Sequence, residues 1–211
     1  MIEITHSMLD ELRTAVAGSM SPKRFRHTVA VEVMTERLCA LFCKELTMQM
    51  RAAALLHDCT KELRLEEQEL LCRELGLPVT DADRLAPKTL HARPAAALIA
   101  IRYPNLNEPL IVNAVRWHTT GHSDMTLTEK ILYLADYIDD SRSFENCVIL
   151  RRYFWGAEPE SMTDAARLEL LRDTLILSFD MTMRDLLSEG NPISVETVEA
   201  RDELLLERAR A

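Results

Sequence analysis

Apolar and polar positions along this 211-residue chain repeat with the spacing of helices rather than of strands. Leu, Ala, Met, Glu and Arg dominate, few segments alternate with a period of two, and only 5 glycines interrupt the pattern. Residues that commonly begin helices precede the amphipathic segments, as Ser7 and Ser21-Pro22 do near the start of the chain. The pattern therefore predicts an all-α fold.

The predicted helices follow one another with short connections, and one longer loop is expected over residues 79–90. The helices are expected at 7–17, from Ser21, from an N-cap at Thr47 to His57, at 65–75, from Leu90, from Asn107 to Trp117, and from a cap at Thr126 or Thr128 through residue 140. Two further helices, over 161–190 and 194–208, contain no histidine and are expected to serve for packing.

The composition is that of a folded globular protein with one domain. Hydrophobic residues make up 47% of the sequence, and 211 residues can bury one good core. The formal net charge of −9 argues against a general affinity for DNA or RNA, because no basic stripe is available to displace counterions. A polyanionic substrate would therefore need a local cluster of cations.

The cysteines and the apolar segments bear on the cellular location of the protein. The 5 cysteines form no Cys-x-x-Cys pair and their number is odd. No signal peptide is recognisable, so we expect reduced thiols in a cytoplasmic protein. No apolar run reaches the roughly 18 residues that cross a bilayer, and we expect no membrane association.

The candidate chemistry centres on residues 51–62, where a helix rich in alanine and leucine ends in His57-Asp58. Consecutive helical residues point about 100° apart, so the two side chains cannot share a solvent face but can hold one object beyond the helix end. Imidazole and carboxylate are ligands that divalent cations prefer. The alternative is a buried histidine bonded to a carbonyl beside an exposed aspartate. Cys59 is a weaker, softer candidate ligand.

Four further candidates occur once each on successive helical elements, on an apolar face or at a helix end: His27, His91, His118 and Asp136. An aspartate on the apolar side of a helix costs several kcal/mol unless it is paired, hydrogen-bonded or bound to a cation. Together with His57-Asp58, these four residues predict that distant parts of the chain converge on a metal site.

Longer motifs surround these candidates. They are Ser21-Pro-Lys-Arg-Phe-Arg-His27-Thr-Val, Ala54-Leu-Leu-His57-Asp58-Cys-Thr-Lys61-Glu, Leu90-His91, Arg116-Trp-His118-Thr-Thr-Gly, Glu129-Lys-Ile-Leu-Tyr-Leu-Ala-Asp136-Tyr-Ile and Glu199-Ala-Arg-Asp-Glu-Leu-Leu. Their order resembles the HD superfamily of metal-dependent phosphohydrolases. The finer pattern is similar to one branch of it, the bacterial YqeK-type symmetrical diadenosine tetraphosphate hydrolases, over nearly the whole chain.

The resemblance implies a helical HD bundle that splits diadenosine tetraphosphate into two molecules of ADP. It implies a single domain over residues 1–211, with a metal-binding core at 20–142 and a C-terminal helical extension at 160–209. The implied metal is iron, with manganese or magnesium as alternatives, and its implied ligands are His27, His57, Asp58 and Asp136. His91 and His118 would then face the nucleotide phosphates or a second metal.

The expected mechanism is attack by metal-activated water. The expected catalytic residues are Asp58, Lys61, His91 and His118, and the expected substrate contacts are Arg24, His27, Lys61, His91, His118 and Arg142. For Lys61, Arg24 and Arg142 the alternative is a solvated surface charge. His91 and His118 are either ligands of a second metal or, when protonated, phosphate contacts and proton donors.

Three positions depart from the family pattern. His122 stands where arginine is common, Ala95 where glycine is expected, and Asp139-Asp140 where Glu-Pro is common. A histidine in place of an arginine near phosphate would make substrate binding more sensitive to pH. These departures bear on substrate preference more than on metal binding.

Two other classes of function stay open on the sequence. One is another HD-type enzyme, such as a nucleoside monophosphatase, a deoxynucleotide hydrolase or a cyclic-nucleotide phosphodiesterase. The other is a non-catalytic sensor of nucleotide or metal on the same scaffold. The expected partner is in each case a small nucleotide or an ion, and the oligomeric state stays open, with a homodimer among the options.

Overall fold

The computed structural model describes residues 3–210, and every regular element in this range is a helix. The α-helices are α1 His6–Ala17, α2 Pro22–Phe42, α3 Thr47–Leu56, α4 Leu65–Glu74, α5 Asp81–Leu85, α6 Pro87–Leu90, α7 Ala92–Arg102, α8 Pro109–Trp117, α9 Leu127–Ile138, α10 Glu145–Gly156, α11 Asp164–Ser188 and α12 Val195–Arg210. Short 3-10 turns lie at Lys44–Leu46, Pro104–Leu106 and Pro159–Ser161. The predicted all-α class is confirmed.

Several helix starts are set by the capping residues that the sequence contains. The Ser21 side chain accepts a hydrogen bond from the backbone N–H of Arg24 at 3.2 Å, and Pro22 fills the first helical position of α2. Thr126, rather than Thr128, is the N-cap of α9. Its backbone N–H donates to the Glu129 carboxylate at 2.6 Å, which completes a capping box. These caps fix where the two helices that carry His27 and Asp136 begin.

Three predicted boundaries are wrong. Residues 79–90 are not a loop, because Thr80 caps α5 through a reciprocal bond with Asp83, and Pro87 then starts α6. Thr47 is not an N-cap but the first residue of α3, where its hydroxyl donates to the carbonyl of Lys44 at 2.7 Å. In α1 the cap is Thr5 rather than Ser7. Each error concerns a local bond between side chain and backbone that competes with helical spacing.

Helix α3 lies at the centre of the fold. It packs against α1, α2, α8 and α9, and residues 52–56 are completely buried. Three of these five residues are alanines, whose small side chains let neighbouring helices approach closely. The helix ends at Leu56, so the next residues, His57 and Asp58, are placed in the interior between the surrounding helices.

The last two helices close the other side of the α8–α9 connection. The Phe179 ring of α11 packs on the Tyr133 ring of α9, with ring centres 4.6 Å apart, and Thr197 of α12 donates to the carbonyl of Thr120 at 3.0 Å. Gly121 adopts a φ of +63°, and a Cβ there would lie 2.8 Å from the Phe179 ring. Only glycine combines this conformation with such close packing. Within residues 3–210, none of the helices has both the length and the apolar character that a bilayer crossing needs.

Candidate active site

The six predicted ligands lie together in one buried cluster, although they come from five different parts of the bundle. This ligand cluster consists of His27 on α2, His57 and Asp58 directly after α3, His91 between α6 and α7, His118 directly after α8, and Asp136 near the end of α9. All of them except His27, which is half-buried, belong to the buried residues. The predicted convergence of distant histidines and aspartates is therefore present in the structure.

One part of the ligand cluster gathers His27, His57 and Asp136. Their ligand atoms all lie within 4.8 Å of one another, with His27 Nε2 at 2.9 Å from Asp136 Oδ1. The Nε2 atoms of His27 and His57 are buried and lack a partner in hydrogen-bond geometry within the described chain. Two unsatisfied imidazole nitrogens beside a carboxylate are costly without a ligand and match the preferences of a divalent cation. The residues present therefore fit a metal ion.

Asp58 lies between this part of the ligand cluster and a second part, which consists of His91 and His118. Its Oδ2 atom lies 3.4 Å from His57 Nε2 and 3.7 Å from His27 Nε2, whereas its Oδ1 atom lies 3.1 Å from His91 Nε2 and 3.7 Å from His118 Nε2. The two oxygens of one carboxylate thus face two different pairs of imidazoles. His91 Nε2 and His118 Nε2 are themselves only 3.0 Å apart, and two lone pairs at that distance require a proton or a cation between them.

The backbone fixes the orientation of three imidazole rings. The Nδ1 atoms of His57, His91 and His118 lie 2.6, 3.0 and 2.7 Å from the carbonyl oxygens of Ala54, Lys88 and Val115, each three residues earlier in the chain. A ring whose Nδ1–H donates to a carbonyl keeps the lone pair on Nε2, the nitrogen that points into the cluster. The last turn of each preceding helix therefore prepares its histidine for ligation.

Electrostatics keeps the carboxylates ionised and two of the rings neutral. Burial opposes the charge on Asp58 and Asp136, but neighbouring His57 and Arg142, respectively, together with other imidazoles, hold the pKa of both carboxyls well below the usual range. Burial lowers the pKa of His118, and burial together with the Lys61 charge lowers the pKa of His91 to about 3. Both rings are therefore neutral near neutral pH, which favours ligation over the alternative of protonated phosphate contacts.

All three predicted cations contact the ligand cluster. Arg24 Nη1 donates to Asp58 Oδ2 at 2.6 Å, and Arg142 donates to Asp136 Oδ1. Lys61 Nζ donates to the Lys88 carbonyl at 3.0 Å and lies 3.2 Å from His91 Nδ1. Each of the three cations is partly buried, so the alternative of a freely solvated surface charge does not describe them.

Asp139 is a member of the site that the sequence reasoning noted only as a departure from the family pattern. Its side chain is 0% exposed, and its Oδ1 atom accepts from the backbone N–H of Ser141 at 2.8 Å and from the Ser141 hydroxyl. Its Oδ2 atom lies 3.4 Å from His27 Nδ1. A carboxylate behind a ligating histidine fixes the ring and raises its basicity. The available signal was spacing, since Asp139 lies one turn after Asp136.

Two cavities adjoin the ligand cluster and share Arg142. The cationic cavity, of about 560 Å³, is lined by Lys23, Arg24, Arg26, His27, Glu62, Ser141, Arg142, Ser143 and Phe144. The second cavity, of about 600 Å³, reaches from Asp136 and Lys61 to Thr119, Tyr137 and the segment between α11 and α12, and we call it the α12 cavity. The cationic cavity supplies the local positive charge that a polyanion requires in a protein with net charge −9. Sequence reasoning did not identify Lys23, Arg26 or Phe144.

The remaining singled-out residues lie outside the ligand cluster. His122 packs on the Trp117 ring, with centres 4.5 Å apart, and its Nε2 atom lies 3.2 Å from Glu129. Ala95 is buried within α7. Cys59 is absent from both groups of converging ligand atoms found in residues 3–210, and burial raises the pKa of its thiol to about 12.

Comparison with known proteins agrees with this geometry. Residues 24–140, more than half of the chain, match the model of the HD domain. The chain therefore belongs to the HD domain family. The matched range contains the whole ligand cluster.

Individual proteins similar to this chain point to one branch of the HD family. The chain is similar to the symmetrical bis(5′-nucleosyl)-tetraphosphatase of Halalkalibacterium halodurans, with 30% identity over 92% of this chain and 95% of that protein. The protein of the same name from Bacillus subtilis is 29% identical over 89% of this chain and 92% of its own length. The fold is similar to a crystal structure from Clostridium acetobutylicum, described as a predicted HD superfamily hydrolase involved in NAD metabolism. Its TM-score is 0.80 at 29% identity, covering 94% of this chain and 97% of that one. The predicted resemblance to the tetraphosphatase branch is confirmed.

Proposed function

We propose that this protein is a metal-dependent hydrolase that cleaves diadenosine tetraphosphate symmetrically into two molecules of ADP. The observation that carries the proposal is the ligand cluster, in which buried imidazole nitrogens of His27 and His57 face Asp58 and Asp136 without hydrogen-bond partners in the described chain. The relatives named symmetrical bis(5′-nucleosyl)-tetraphosphatase, similar over most of the chain, support the substrate.

His27, His57, Asp58 and Asp136 are the proposed metal ligands. A bound cation would act as a Lewis acid and would lower the pKa of a coordinated water from near 15.7 to about 7. Mixed imidazole and carboxylate ligands suit iron and manganese, and we propose iron first, with manganese or magnesium as alternatives. His91 and His118 are proposed ligands of a second ion, because both rings are neutral and the Oδ1 atom of Asp58 faces them.

Arg24, Lys61 and Arg142 are proposed to bind the phosphate oxygens around the bond that breaks. Each cation is already held by a carboxylate or a carbonyl of the site, so little side-chain freedom is lost when the substrate arrives. An arginine can contact two phosphate oxygens at once, which orients the chain of phosphates as well as neutralising it. Both products are nucleoside diphosphates, whose anionic leaving oxygen requires less protonation than an alkoxide does.

Lys61 has a further proposed role at the leaving oxygen. Burial lowers the pKa of its ammonium group, although Asp58 and Asp136 oppose that shift. An ammonium group with a lowered pKa gives up a proton more readily than a solvated lysine does. Its Nζ atom lies beside His91 and borders the α12 cavity, which places it next to both the cluster and bound phosphate.

The product assay tests the proposal directly. Protein loaded with iron or manganese is incubated with diadenosine tetraphosphate, and the nucleotides are separated by anion-exchange chromatography. We expect ADP alone; ATP with AMP, or activity confined to monophosphates or cyclic nucleotides, would show a different HD-type enzyme. Asp58→Ala should abolish turnover, because it removes the carboxylate that faces both pairs of imidazoles. Asp140→Ala, at an exposed neighbouring carboxylate, is the matched control and should stay active.

The domain organisation, the location and the partners extend the proposal. We propose one domain over residues 1–211, with an HD core at 20–142 and a C-terminal extension at 160–209 that packs on the α8–α9 connection. Contacts of Phe179 with Tyr133 and of Thr197 with Thr120 support this packing role. The 5 cysteines are free, which suits the proposed cytoplasmic location. A small nucleotide, rather than a nucleic acid or a membrane, is the proposed partner.

A further inference from the structure

We infer, on the basis of the proposed function, that the cationic cavity holds one ADP half of the substrate and that Phe144 stacks on its adenine base. Phe144 would then recognise the base, in addition to the contacts that the cations make with the phosphates. The α12 cavity would hold the other half.

The position of the two cavities supports this division. His27 lines the cationic cavity and Asp136 lines the α12 cavity, and these two ligand-cluster residues are only 2.9 Å apart at His27 Nε2 and Asp136 Oδ1. Arg142 lines both cavities. The ligand cluster therefore lies where the cavities meet. A substrate cut at its midpoint must extend by two phosphates and one adenosine on each side of the bond that breaks, and each cavity offers room on one side.

The charges of the cationic cavity fit phosphates. Among residues 3–210, neither Lys23 nor Arg26 forms an ion pair, and both are exposed on the first two turns of α2. The one carboxylate of the lining, Glu62, is already engaged by the backbone N–H of Ser21 at 2.7 Å and by the Ser21 hydroxyl. Arg24 and Arg142 are paired with Asp58 and Asp136, so Lys23 and Arg26 are the cations that give this lining its excess positive charge, on a surface that leads away from the ligand cluster.

Phe144 supplies the apolar surface in this otherwise charged cavity. Its side chain is 70% exposed, and it directly precedes α10, two residues after Arg142. An exposed aromatic ring by itself is ordinary, but this ring borders a cavity whose other walls carry Lys23, Arg24, Arg26 and Arg142. Bases stack on aromatic side chains without regard to their hydrogen-bonding edges, and each stack changes affinity by roughly tenfold or more. The ring is thus placed to take the base of a nucleotide whose phosphates contact the arginines.

Kinetics of Phe144→Ala, Phe144→Trp and wild type on two substrates tests the inference. The substrates are diadenosine tetraphosphate and inorganic tetraphosphate, which lacks both bases. We expect Phe144→Ala to raise KM for the dinucleotide by about tenfold with little change in kcat, and to change KM for inorganic tetraphosphate much less. Phe144→Trp should restore the low KM, because its ring also stacks.

Tyr153→Ala is the matched control, since Tyr153 is an exposed aromatic residue on the same helix and lies outside both cavities. It should leave both KM values unchanged. The inference is overturned if Phe144→Ala leaves KM for the dinucleotide unchanged, or raises KM equally for both substrates. In those outcomes wild-type protein still forms ADP and the proposed function stands. If wild-type protein forms no ADP from diadenosine tetraphosphate, the function and the stacking role fail together.

Discussion

Replacing Asp139 by asparagine should weaken metal binding without unfolding the protein. Asp139 Oδ1 accepts two bonds from Ser141, and an amide oxygen can keep them. Asp139 Oδ2 instead lies 3.4 Å from both His27 Nδ1 and Arg142 Nε, which are donors. An asparagine presents a donor at that point, so the negative charge beside His27 and Arg142 is lost and donors face each other, while the Ser141 hydroxyl stays 3.3 Å from His27 Nδ1.

The size of the effect follows from the position of Asp139 behind a proposed ligand. Loss of such a partner typically lowers metal affinity or activity by 10- to 100-fold, about 1.4 to 2.8 kcal/mol. We expect a loss in this range because Asp139 is 0% exposed and water cannot readily take over its role. A structural role alone would change stability but not the affinity of folded protein for the ion.

Metal affinity, measured by competition with a chelator, is the decisive assay, and thermal unfolding in the absence of metal is recorded beside it. Asp140→Asn serves as the control, because Asp140 is exposed and its nearest cations, Arg37 and Arg151, lie 3.6 to 3.7 Å away at the surface. If Asp139→Asn binds manganese within about twofold of wild type, Asp139 does not support His27 as a metal ligand.

Two predictions concern stability. Gly121→Ala should destabilise the protein by about 2–4 kcal/mol, because it adds backbone strain at a φ of +63° to a clash with Phe179, whereas Gly76→Ala, at +69° but in open space, should cost only about 1 kcal/mol. Urea unfolding measures both, and equal losses would contradict the packing argument. Burial opposes the charge on Asp83, but Arg93 and Thr80 bind it and hold its pKa below the usual value. This stabilisation is complete above pH 4, near the unfolded pKa of about 3.9, and is lost as pH falls through the lower folded value. The difference in unfolding free energy between wild type and Asp83→Asn should therefore shrink from pH 5 to pH 2, and a constant difference would exclude the carboxylate as its source.

Much of the fold and of the ligand cluster was predictable because both depend on repeated local signals. Helical spacing and caps such as Ser21 and Thr126 locate the helices. His57-Asp58 and Asp136 stood out because imidazole and carboxylate groups are expensive on apolar helix positions. The same pattern pointed to a metal site, because a cation can satisfy several buried imidazole and carboxylate groups at once.

The parts that escaped prediction depend on contacts between distant segments or on very short helices. α5 and α6 are too short to show an apolar face, so only Thr80 and Pro87 could have indicated them. Asp139 acquires its role from His27, 112 residues earlier, and periodicity carries no such information. Phe144 and Arg26 look like ordinary surface residues until the fold brings them to the same cavity.

Three histidine rings are each hydrogen-bonded through Nδ1 to a backbone carbonyl three residues earlier, and this restricts how the rings can move. His57, His91 and His118 cannot swing independently of the turns that hold them. The two proposed ions, one on His27, His57, Asp58 and Asp136 and the other on His91 and His118, would join helices that lie far apart along the chain. Metal binding would then stabilise the whole folded protein. Without metal, the ends of several helices would open together.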